Sequence, residues 1–157
     1  MKNFSVEKAL PEGRIRVPFF CFEMKRAQGG SCGFSHYHGY TEMLYVNKGE
    51  ALITICGKDY TFTKGGYIII NPFEPHRVES LSGECSFYVI KFTEAMLQGL
   101  KDTGCFMPFL SGEGRCREKS AGKDELFYLF SDALKEYNEK KTGYELEITA
   151  AVLKIIR

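Results

Sequence analysis

The residues able to do chemistry concentrate between Gly30 and Gly49, where His36, His38 and Glu42 follow the spacing G-x5-H-x-H-x3-E-x6-G. On a β-strand successive side chains alternate between faces, so positions 36, 38, 40, 42, 44 and 46 share one side. Two imidazoles and a carboxylate then point into one space. Nitrogen and oxygen donors of that kind suit a divalent transition metal such as zinc, nickel, manganese or iron. His76, the third histidine of the chain, lies in a later Gly- and Pro-containing segment and is the candidate fourth donor. An H-x-H pair alone is more often a surface or hydrogen-bonded core feature. Confinement of all three histidines to two such segments shifts the balance toward a metal. No G-x-S-x-G nucleophile motif, phosphate-cradling G-x4-G-K-S/T loop or Cys-His constellation offers a different chemistry.

These donors must be positioned by strands. From Ser35 the chain reads as short β-segments separated by turn residues: 35–47, a turn at Asn47-Lys48-Gly49, 50–56, and a turn at Gly57-Lys58-Asp59. Tyr60 to Thr63, Tyr67 to Ile70 and Cys85 to Phe92 continue the pattern. An earlier strand with Ile15, Val17, Phe19 and Cys21 contains Pro18, which confines it to a sheet edge. Such spacing predicts an antiparallel sandwich or barrel over 15–98. Residues 1–14 read as a flexible arm and 99–122 as an irregular connection. The segment 123–157 is helical: Leu126, Phe127, Phe130, Ala133, Leu134 and Tyr137 form one amphipathic stripe. Thr142 with Glu145 gives a capping-box pattern before a second stripe of Leu146, Ala150, Leu153 and Ile156. That stripe reaches Arg157 without a capping residue, as expected of a chain cut before a following domain.

At 157 residues, 44% of them apolar, the chain is sized for one domain with its own core. Its formal charge of +1 gives no global field to hold a polyanion, so direct nucleic-acid binding by these residues is not expected. No segment has the form of an export signal, and no run approaches the roughly 18 apolar residues of a membrane span. A cytoplasmic location is therefore expected. The six cysteines, at 21, 32, 56, 85, 105 and 116, include no C-x-x-C pair and are expected to be thiols, mostly buried.

The segment from Gly30 to Gly49 resembles the first motif of the cupin superfamily, matched at Gly30, His36, His38, Glu42 and Gly49. The second cupin motif, G-x5-P-x-G-x2-H-x3-N, is matched by Gly66 and Pro72 only. Glu74 holds the glycine slot, Arg77 the histidine slot, and the terminal asparagine is missing. His76 falls one residue early, so a shorter turn is needed to aim it inward. The wider arrangement resembles the amino-terminal domain of AraC-type transcriptional regulators, carried by HYHGYTEMLYVNKGEALITICGKDYTF, KGGYIIINPFEPH, FYVIKF and the two helical patterns.

The resemblance implies a mostly β fold, a cupin (double-stranded β-helix, jelly-roll) barrel followed by two C-terminal α-helices. It also implies an interior site that binds a small-molecule effector, a homodimer formed through the helices, and DNA contact only through a following helix-turn-helix domain. His36, His38, Tyr40, Glu42 and His76 are the polar candidates for that site, with Phe19, Phe73 and Tyr88 as its walls. Leu126, Phe130, Leu134, Leu146, Leu153 and Ile156 are the candidate dimer contacts. The four donors either hold a metal or serve as metal-free polar contacts to a ligand. Two other functions use the same residues: a small metal-dependent oxygenase or isomerase, and a structural cupin whose histidines only hydrogen-bond within the barrel.

Overall fold

The computed structural model of the chain describes residues 5–6, 19–27, 35–97 and 123–156. Most of the expected arm over 1–14, the connection 99–122, and Gly30, Cys32, Cys105 and Cys116 lie outside the described residues. Among the described residues there are nine strands: β1 (Ser5–Val6), β2 (Phe19–Ala27), β3 (His36–Tyr37), β4 (Thr41–Lys48), β5 (Glu50–Ile55), β6 (Lys58–Thr63), β7 (Tyr67–Ile70), β8 (His76–Ser80) and β9 (Glu84–Phe92). A 3-10 turn at Glu94–Met96 and two helices, α1 (Lys123–Glu139) and α2 (Tyr144–Ile156), follow.

The strands form two sheets, ordered β1-β3-β8-β5-β6 and β2-β9-β4-β7. β2 lies at an edge of its sheet, whereas Ile15, Val17 and Pro18 of the expected strand lie outside the described residues. Between the sheets one apolar cluster includes Leu44, Val46, Ile53, Ile55, Ile68, Ile70, Val78, Phe87 and Val89. The opposite face of the four-stranded sheet carries Met43, Tyr45, Ile90 and Phe92, which pack with Phe130, Val152 and Ile155 of the helices. Strict period-2 alternation thus gives β4 and β9 two buried faces, one toward the barrel interior and one toward the helices. This explains why both read as nearly continuous apolar runs.

The single strand expected over 35–47 is broken. β3 belongs to the five-stranded sheet and β4 to the other, with residues 38–40 crossing between them. Gly49 makes the return crossing at φ 83°, and a Cβ there would lie 2.4 Å from the Glu84 carbonyl oxygen. Glycine is the residue that tolerates both constraints. The β5–β6 hairpin turns at Cys56-Gly57, one residue earlier than the turn signals predict. Both have positive φ, 50° and 81°, as a two-residue turn between right-twisted strands needs.

The helical stripe of α1 is as expected, with Leu126, Phe130, Ala133 and Leu134 buried. α2 is rotated from its expected phase. Ile148, Ala151, Val152, Ile155 and Ile156 form its buried face, whereas Leu146 is 75% exposed. Two overlapping stripes satisfy the helical period, and the one richer in Ile and Val buries more apolar surface. Thr142 does not begin the helix. The Gly143 carbonyl accepts from Glu147 N–H, so Gly143 is the N-cap, and the capping-box reading fails by one residue.

Candidate metal centre

One end of the barrel interior is polar. β4 enters it at Glu42, β9 leaves it at Lys91, β8 enters it at His76, and β3 supplies His36. Register brings them together: His36 lies opposite His76, and Glu42 opposite Lys91. His38, on the crossing after β3, completes the group. One donor atom from each of His36, His38, Glu42 and His76 lies within 4.8 Å of the others. His38, Glu42 and His76 are buried, and His36 is half-buried. The four side chains named from spacing do converge, but by a strand changing sheets rather than by alternation along one strand.

His76 faces inward because β8 starts with it and alternates His76, Val78, Ser80 toward the interior. Arg77, in the motif's histidine slot, points out toward Glu79 at 2.9 Å. The required shorter turn is held by Glu74, whose carboxylate accepts the Asn71 amide at 2.9 Å. Within this turn Phe73 has φ 64°, and its amide donates to the His38 carbonyl at 2.7 Å. The loop before His76 is thereby fastened to the crossing that carries His38.

The imidazole orientations fix what the site can hold. His38 Nδ1 lies 3.0 Å from the Tyr40 carbonyl oxygen and His76 Nδ1 lies 2.8 Å from that of Glu74. A carbonyl only accepts, so each Nδ1 carries a proton and donates it. In the neutral ring Nε2 is then a lone pair. His38 Nε2 stands 2.8 Å from Glu42 Oε2, and His76 Nε2 stands 3.5 Å from the same oxygen. Buried His76 Nε2 makes no hydrogen bond of good geometry. Lone pairs converging on a carboxylate repel unless a cation, a proton or a metal ion, lies among them. Histidine ligands oriented through Nδ1–H to carbonyls are the usual outer shell of a metal site. The residues present therefore fit a divalent transition metal.

Burial by itself pushes the Glu42 carboxyl up, but His38, His76 and the charge of Lys91 together hold it well below the usual carboxylate range. The His38 ring stacks on Tyr40, with centroids 3.7 Å apart and planes 11° from parallel. Lys91 Nζ lies 3.3 Å from Glu42 Oε2 and 3.5 Å from the Tyr40 hydroxyl. This lysine was not anticipated. Its signal was a lone cation inside the apolar strand FYVIKF, on the parity of Phe87 and Val89.

Three expected walls need correction. Phe19 is 1% exposed in the cluster beneath the helices, edge-on to Tyr137 and Tyr144, and does not face the site. Tyr88, one residue out of phase with Phe87 and Val89, packs outward on Tyr45 and Phe127. Phe73 is 69% exposed on the surface beside Gly39, so it flanks the site without closing it. The expected dimer contacts also divide. Leu126, Phe130, Leu134 and Ile156 are spent in this chain's own core, whereas Leu153 is half-buried and Leu146 exposed.

The two sheets form a cupin-type barrel with three histidines and one glutamate clustered at one end. Residues 22–91 match the model of the family described as Cupin domain, and two helices follow the matched segment. No curated protein matches the chain. Among solved structures it is similar to a Cupin 2 conserved barrel domain protein from Salinispora arenicola, at 23% identity and TM-score 0.47, over 58% of this chain and 76% of that one. A protein from Photorhabdus luminescens is similar at 28% identity and TM-score 0.47, over 55% and 72% of the two chains. A predicted oxalate decarboxylase from Thermotoga maritima is similar at 25% identity and TM-score 0.43, over 46% and 64%.

Proposed function

We propose that this chain is the small-molecule-sensing and dimerising module of an AraC-type transcriptional regulator, its site built on a divalent transition metal held by His36, His38, Glu42 and His76. The observation that carries the reading is the double-faced sheet. β4 turns Glu42 inward and Met43 and Tyr45 toward the helices, while β9 turns Lys91 inward and Ile90 and Phe92 toward them. Tyr45 stacks on Phe130 of α1 at 5.4 Å between centroids. A ligand that binds one position of these two strands better than another shifts the helix pair with them.

The metal, when bound, supplies a Lewis acid that polarises a ligand oxygen. The protein does the rest: the Tyr40 and Glu74 carbonyls orient two imidazoles, Glu42 supplies the compensating negative charge, and burial excludes bulk water. DNA contact in this reading comes from helix-turn-helix motifs such as follow the sensor in that family. Leu146 and Tyr128, 75% and 60% exposed, are the apolar side chains that the helices offer a second copy.

The same donor set favours a second reading, a metal-dependent oxygenase or isomerase, because three imidazoles and a carboxylate can also activate a substrate. Hydrogen exchange over 123–156, with and without metal and a panel of sugars, small acids and aromatics, separates the two. Altered protection in the helices on ligand binding supports sensing. Unchanged helices together with turnover of a panel compound would assign the chain to the enzymes.

A further inference from the structure

Alternation along β2 sends Phe19 and Cys21 to the helices and turns Phe20, Phe22 and Met24 the other way, toward the barrel interior. The register agrees, because directly opposed residues of an antiparallel pair share a face. Phe22 lies opposite Val89 and Met24 opposite Phe87; Val89 and Phe87 belong to the interior cluster, against which Met24 also packs. Phe20 lies opposite Lys91, which in turn lies opposite Glu42. One row of the sheet thus runs from Phe20 through Lys91 to Glu42, and the next from Phe22 through Val89 to Leu44.

The Phe20 ring lies 6.0 Å from that of Tyr137, whereas the Phe22 ring stands 5.7 Å from the Lys91 ammonium, itself 3.3 Å from Glu42 Oε2. The other members of these two rows beyond β2 are sealed: Val89 and Leu44 are fully buried, Glu42 and Lys91 nearly so. Phe22 is 37% exposed, on the edge strand of its sheet. Of the exposed large apolar side chains among the described residues, it is the one carried by a strand. A lone apolar side chain on an outer surface needs no explanation. This ring instead belongs to the inner face at the metal end, and a small-molecule site is lined by apolar walls around a few polar groups. Phe22 is the wall that Phe19, on the opposite face, does not supply.

We infer that Phe22 is a specificity-determining residue of this site, and that the ligand it selects carries an aromatic ring next to the oxygen atoms that meet the metal. The inference rests on the metal-centred reading above. An aromatic ligand gains offset or edge-to-face contact with Phe22 that an aliphatic ligand with the same metal-binding group lacks.

Calorimetric titration of acetohydroxamate and of benzohydroxamate into the zinc-loaded chain tests this. Both present the same oxygen donors, and they differ by a methyl against a phenyl group. Benzohydroxamate should bind about tenfold more tightly, the upper range of one aromatic pair. In zinc-loaded Phe22→Ala the two should bind alike, whereas Phe22→Tyr should keep the preference. Phe73→Ala, at the other exposed phenylalanine near the site, should keep it too. Equal binding of the two compounds by the unmodified zinc-loaded chain, or binding of neither, would overturn the inference while sparing the metal site. So would a preference that persists in Phe22→Ala or is lost in Phe73→Ala. Failure of the unmodified chain to take up zinc would bring down the metal-centred reading and the inference together. Should Phe22→Ala not fold, Phe22→Leu, which keeps an apolar side chain without the ring, should lose the preference and decides in its place.

Discussion

Glu42 is the residue on which the site turns, because one carboxylate oxygen faces His38, His76 and Lys91 at 2.8, 3.5 and 3.3 Å. Its carboxyl is held below an ordinary value of about 4.3. A depressed folded value means that the ionised group stabilises the fold at every pH above the unfolded value, and that this contribution is lost as pH falls through the folded value. Metal-free protein should therefore lose thermal stability as the pH drops below about 4, and Glu42→Gln, less stable at pH 7, should show a weaker acid dependence. Melting curves across pH 2–7 check this. His38→Ala and His76→Ala should each weaken zinc binding by at least about tenfold while leaving the circular dichroism spectrum folded, a loss typical of disturbed metal ligation. Cysteine labelling offers an independent check on burial. Cys21 is pushed up to about 12 and Cys85 to about 11, so both stay protonated at pH 8, whereas Cys56 is exposed. Peptide-mapped alkylation at that pH should modify Cys56 and spare the other two.

At the scale of elements, the two crossings between sheets do the positioning. Gly49 is legible from sequence as a sharp turn, but not that the strands on either side belong to different sheets. Gly49→Ala combines a left-handed backbone with a Cβ 2.4 Å from the Glu84 oxygen, and should cost at least about 2 kcal/mol in denaturant melts. The helices follow the same logic. Phe130 is fully buried against Tyr45, so Phe130→Ala should destabilise the fold by about 3–5 kcal/mol rather than report on a subunit contact. The stripe of α1 was readable because only one apolar face satisfied the helical period. That of α2 was not, because Leu146 and Leu153 compete with Ile148, Val152 and Ile155, and only packing against the sheet ranks them.

For the whole molecule, the barrel and helices form two apolar layers sharing one sheet, and the polar end of the inner layer is the site. No helix among the described residues is long and apolar enough to cross a membrane. If a homodimer forms through the helices, Leu146→Glu should shift its dissociation toward monomer in sedimentation runs while changing stability by less than about 0.5 kcal/mol, as exposed substitutions usually do. A dimer unaffected by this change would place the interface away from that side chain. By itself the sequence determined the donor types, the strand-rich barrel, the helical pair and the set His36, His38, Glu42 and His76, because residue chemistry and short-range periodicity are local properties. Tertiary structure decided what periodicity cannot express. The crossing at 38–40 brings Glu42 to His38, the short turn aims His76 inward, and cross-strand register sets Lys91 beside the carboxylate. The same register sends Phe19 and Tyr88 to the far side of the sheet. Each depends on which strands pair and in what phase, and a shift of one residue would reverse every face.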